Sequence, residues 1–94
     1  MMTEAELKAI QARCEGATGG PWVSCVEGRD HTSGCDFIQT DGEDITLSGA
    51  TVDDQDFIAA ARQDIPALIE EIYRLRALIH AAGLVDREPR AEGA

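Results

Sequence analysis

Ninety-four residues carry eighteen acidic side chains against eight lysines and arginines, a formal net charge of −10 at pH 7. That balance argues against direct DNA or RNA binding, which needs Lys and Arg to displace counterions from the phosphate backbone. Leu, Ile, Val and Phe together supply 20 of the 94 residues, enough for one thin core in a single small domain. A homo-oligomer is therefore expected, because a second copy would bury more apolar surface. No apolar run reaches the length of a membrane span, and the N-terminus lacks a basic-then-apolar leader pattern. The expectation is a cytoplasmic protein with no membrane segment.

The acidity is concentrated between Glu27 and Asp56, where nine carboxylates face a single base, Arg29. Three cysteines, Cys14, Cys25 and Cys35, have spacings that fit no zinc pattern. Cys25, His31 and Cys35 make one conceivable three-ligand set. The reading preferred for all three thiols is reduced and buried in the core, with no metal and no cofactor.

Thr3 with Glu6 three residues later is a capping box, and Leu7, Ile10 and Cys14 follow at helical spacing. A helix over about 3–15 results, with Gly16 in the left-handed conformation at its end. The run 17–22, containing Gly19, Gly20 and Pro21, turns the chain into extended structure. Strands are predicted at 22–26, 35–40 and 44–48, with Asp41-Gly42 as a two-residue type I′ hairpin turn between the last two. This register sets Ile38 opposite Ile45, Asp36 opposite Leu47, Val23 opposite Ile38 and Cys25 opposite Asp36. One face then carries Val23, Cys25, Ile38, Ile45 and Leu47 toward the helices. Trp22, Val26 and Phe37 lie among hydroxyls on the other, a composition suited to a partner or ligand.

From Asp53 the chain reads as helical, capped by Asp53 or Asp54. Phe57 and Ile58 are expected to pack on the sheet. Asp64 followed by Pro66 predicts a second helix start and a break near Gln63. A long helix then runs from about 65 to 82, with Gly83 at its end and His80 complementing its dipole. Ile65, Leu68, Ile72, Leu75 and Ile79 repeat at 3-4-3-4 spacing, more aliphatic surface than a three-stranded sheet needs, and they form a candidate oligomer interface. The predicted fold is α+β: an N-terminal helix, a small antiparallel sheet of about three strands, a short helix and a long C-terminal helix. It occupies 1–84 as one domain, with a disordered tail at 85–94.

Three segments resemble a family of small bacteriophage and prophage proteins described as Ead-like. Ala17-Thr-Gly-Gly-Pro-Trp22 is similar to that family's Ala-Thr-Pro-Gly-Pro-Trp block, with Gly19 standing where proline is usual. Asp56-Phe-Ile-Ala-Ala-Ala-Arg62 and Asp64-Ile-Pro-Ala-Leu-Ile-Glu-Glu-Ile72 resemble the segments that follow. The resemblance covers about a third of the chain and implies a phage accessory product with no catalytic residues to carry over. The residues themselves show no nucleophile elbow and no glycine-rich phosphate loop opening a helix, so an enzyme is not expected. Binding of an unidentified host or phage protein through the acidic, partly aromatic surface is the leading expectation. The alternative is a counter-defence protein that sequesters a nucleotide signal between copies, with Trp22 or Phe37 stacking on the base and Arg74 or Arg76 meeting phosphate.

Overall fold

The computed structural model describes residues 1–83 and has two helices and a two-stranded sheet in the order α1 (Glu4–Gly16), β1 (Val23–Cys25), β2 (Phe37–Gln39), α2 (Val52–Ala81). The tail expected at 85–94 lies outside the described residues. The capping box of α1 is formed as expected. Thr3 Oγ1 accepts the Glu6 N–H at 3.1 Å, and the Glu6 carboxylate accepts the Thr3 N–H at 2.8 Å. Gly16 does not take the left-handed conformation. It stays helical, and the extended Ala17 leads the chain out while its N–H bonds the Cys14 carbonyl. Gly83, at φ 74°, is the left-handed residue just beyond α2.

β1 and β2 pair antiparallel with Val23 opposite Gln39, Ser24 opposite Ile38 and Cys25 opposite Phe37. This register is one residue away from the expected one, which exchanges the faces of β1. Ser24 now shares a face with Ile38, while Val23 and Cys25 stand with Phe37 and Gln39. Side chains also bind the backbone of the connecting loop. Asp30 accepts the Val26 N–H at 2.7 Å and Asp36 accepts the Glu27 N–H at 2.8 Å.

The expected third strand is reduced to one bridge. Ile38 and Ile45 exchange both backbone hydrogen bonds, at 2.8 and 2.9 Å, as their predicted pairing requires. Asp41-Gly42 is not a type I′ turn, since neither residue has positive φ. Thr40 Oγ1 instead accepts the Gly42 N–H and donates to the Glu43 carbonyl, both at 2.9 Å. The Asp41 N–H reaches the Gly19 carbonyl, tying this tip to the segment after α1. That segment contains a cis Gly20–Pro21 bond.

The expected pair of C-terminal helices is one helix of 30 residues, with Pro66 inside it. Its cap is Thr51, in a second capping box with Asp54, and neither Asp53, Asp54 nor Asp64 takes that role. Proline lacks an N–H and crowds the preceding turn. Here both sides of it are pinned to the same body: Arg62 and Gln63 to Thr18 and Trp22, and Tyr73 to Glu4. These bonds also show that α1 runs antiparallel to α2, with the sheet against the N-terminal half of α2. Leu7, Val26, Ile38, Ala59 and Ile69 form the buried apolar core. The molecule is 55 Å long and 22 by 21 Å across. At 1.5 Å per residue, α2 accounts for about 45 Å of that length.

Candidate functional site

An α-helix turns by about 100° per residue, and that period divides the surface of α2. Gln55, Ala59, Gln63, Pro66, Ile69 and Tyr73 share the side that α1 and the sheet cover. Gln55 is buried, and its amide donates to Ser24 Oγ at 2.9 Å, to the Phe37 carbonyl at 3.1 Å and to the Cys25 carbonyl at 3.4 Å. Two turns later, Gln63 accepts the Trp22 N–H at 2.7 Å and donates to the Trp22 carbonyl at 3.3 Å. Two glutamines thus fasten the sheet and its approach to one helix face.

A third of a turn away runs a second apolar stripe that the described chain covers only in part: Ile58, Ala61, Ile65, Leu68, Ile72, Leu75 and Ile79, flanked by Phe57 and Leu78. Phe57 is 74% exposed and Leu68 60% exposed. Ile58, Ile65, Leu75 and Leu78 are also exposed, while Ile72 and Ile79 are half-buried. The five residues expected as an oligomer interface therefore lie on one outward strip. The expectation that Phe57 packs on the sheet is corrected, since its side chain points to this outer side. Because α2 does not break, the strip continues back through Ala61 to Ile58. The pairing of Thr51 with Asp54 is the sequence signal that would have placed the helix start correctly.

Beside the strip, between α1 and α2, lies a shallow groove of about 230 Å³ bordered by Ile10, Arg13, Trp22, Ile58, Ala61 and Ile65. Trp22 is half-buried at its rim, with its indole N–H bonded to the Thr18 carbonyl at 3.0 Å.

The acidic region is built around Arg29. Its guanidinium makes two bonds to Asp56, at 2.9 and 3.1 Å, and one to Asp30 at 3.0 Å, joining the loop to the start of α2. Those bonds raise the Arg29 pKa above its ordinary value. Arg29 lowers the pKa of both carboxyls, helped at Asp30 by the Val26 N–H and at Asp56 by Ser24. His31 stacks at a tilt on Phe37, with ring centroids 5.1 Å apart, and its Nδ1 lies 2.8 Å from Ser33 Oγ.

The four residues expected to bind a nucleotide are not gathered by one chain. Gln63, which holds Trp22, precedes Arg74 by eleven residues, about 16 Å along the helix. Phe37 packs on His31 still farther toward the helix start. Arg74 pairs with Glu71, and Arg76, on another side of α2, donates to the Met2 carbonyl. The cysteines form no disulfide. Cys14 and Cys25 are half-buried, but Cys35 is exposed at the edge of its loop, which corrects the expectation of three core thiols. Among the described residues, no group of three or more His, Cys, Asp or Glu side chains is placed to hold a metal ion, and no helix is long and apolar enough to cross a membrane. Comparison with protein-family models, curated proteins and solved structures returned no match.

Proposed function

We propose that this chain is a non-enzymatic, homo-oligomeric protein-binding module, of the accessory kind implied by its resemblance to small phage and prophage proteins. The observation that carries the reading is the outward strip of α2, where aliphatic residues persist at helical spacing and Ile58, Ile65, Leu68 and Leu75 stay exposed beside α1. Contiguous exposed apolar surface of this kind marks an association site. Pairing through it leaves the carboxylates around β2 and its following turn facing outward, where they suit a basic surface on another protein.

Sedimentation equilibrium tests the first part. The wild-type chain should self-associate at micromolar concentration. Leu68→Glu and Leu75→Glu, which place a charge in the seam, should each weaken association at least about 100-fold while helix content is kept. A wild-type chain that stays monomeric would overturn the oligomeric reading. For the second part, reversing Asp41, Glu43 and Asp44 to lysine should release proteins co-purified with the wild-type chain. Full retention of them would remove the acidic face as the binding surface.

A further inference from the structure

We infer that the occupant of the α2 strip is a second copy of this chain, lying parallel and in register, with Phe57 of each copy entering the groove beside Trp22 of the other. The inference rests on the oligomeric reading above and adds orientation and a specific anchor. Because α2 is continuous, its outer strip can be written as heptads. Ile58, Ile65, Ile72 and Ile79 take the first core position, and Ala61, Leu68 and Leu75 take the second. β-Branched residues at the first position with leucine at the second favour two parallel strands.

The flanks select the same orientation. On the solvent side of the seam stand Asp64 and Glu71, and on the α1 side stand Arg62 and Arg76. In a parallel pair each flank meets the opposite flank of the partner helix, five residues further on. Glu71 then faces the position of Arg76, Phe57 that of Arg62 and Asp64 that of the buried Ile69; Glu71 and Arg76 keep their own-chain partners Arg74 and the Met2 carbonyl beside this contact. An antiparallel pair would set carboxylates against carboxylates and guanidiniums against guanidiniums, which is unfavourable. Exposed pairs contribute little energy, but their sign decides between orientations.

The groove supplies the register. Its α2 wall is Ile58, Ala61, Arg62 and Ile65, the four-residue hole that receives a second-position side chain from a parallel partner. The side chain arriving there is Ala61, which is small and leaves the groove unfilled. Phe57, exposed and adjacent on the solvent flank, is the residue that fills it, with its ring against Trp22 and the Arg62 guanidinium. A cation over an aromatic face adds to the burial.

Oxidative cross-linking of the full chain tests the orientation. Ala61→Cys and Leu75→Cys, made separately, lie about 21 Å apart along α2, and the wild-type chain controls for the native cysteines. A parallel, in-register pair lets both variants form disulfide dimers. Dimers in solution with cross-linking at neither or only one position would overturn the parallel register while leaving the oligomeric reading intact. A chain monomeric in sedimentation would overturn both. The anchor has its own readout, because Trp22 is the chain's one tryptophan. Its emission should shift to the blue as the chain associates. Phe57→Ala should abolish that shift and weaken association at least about tenfold, the scale of a buried aromatic anchor. An unchanged shift or affinity in Phe57→Ala would remove Phe57 from the groove.

Discussion

Gln55 shows how one polar side chain decides the arrangement of a small sheet. A buried amide must find partners, and the two carbonyls and the hydroxyl it meets belong to both strands. Its bonds to Ser24, Cys25 and Phe37 bring the Ser24–Ile38 face against α2. Gln55→Ala should destabilise the fold by about 1–3 kcal/mol, because it leaves half-buried acceptors on Ser24, Cys25 and Phe37 without this donor. Urea unfolding measures this as a lower midpoint with an unchanged slope. An effect below about 0.5 kcal/mol, the range of ordinary surface substitutions, would mean that water replaces the amide. The sequence does not announce this role, since a glutamine in an acidic helix start reads as solvated surface.

At the scale of elements, the start of α1 was read from the sequence, while the start of α2 was placed two residues late and its interior was read as a break. Thr3 with Glu6, and Thr51 with Asp54, are local patterns whose hydrogen bonds close within four residues. Pro66 is different, because its cost is local while the contacts that offset it come from α1 and the 17–22 segment. A proline inside a helix is less favourable than alanine by about 3 kcal/mol. Pro66 is half-buried and borders a cavity between α1 and α2 together with Gln11 and Cys14, which leaves the ring loosely packed. Pro66→Ala should therefore raise stability by about 1–2 kcal/mol and raise the thermal midpoint, with self-association unchanged. A lower midpoint would show that the ring's contacts with α1 outweigh the strain it puts on the helix. The hairpin tip follows the same logic. Asp41-Gly42 favours a tight turn by propensity, yet the Asp41 N–H is used by Gly19 and the turn closes through Thr40 instead.

For the whole molecule, the long shape and the charge act against each other. The outer strip of α2 draws two copies together, but each carries a formal charge of −10. Repulsion between them is long-ranged at low ionic strength and is screened within about 10 Å at 0.1 M salt. Association should accordingly tighten when salt rises from about 0.01 to 0.15 M, and sedimentation at the two concentrations measures it. Weaker association in salt would mean that attraction between flanking charges, more than apolar burial, holds the copies together.

What the amino-acid sequence determined by itself is what short-range chemistry controls. It placed α1 and its cap, the existence of two paired extended segments, the Ile38–Ile45 contact, and the 3-4 spacing that marks the Ile65–Ile79 strip. Tertiary structure alone decided the register of β1 on β2, the loss of a full third strand and the continuity of α2 through Pro66. It also decided the outward position of Phe57. Each of these depends on partners far along the chain: Gln55 on Ser24, Gln63 on Trp22, Asp41 on Gly19, Arg29 on Asp56. Their hydrogen bonds are satisfied only once the helices and the sheet have met, so no local window of sequence contains the energy that selects them.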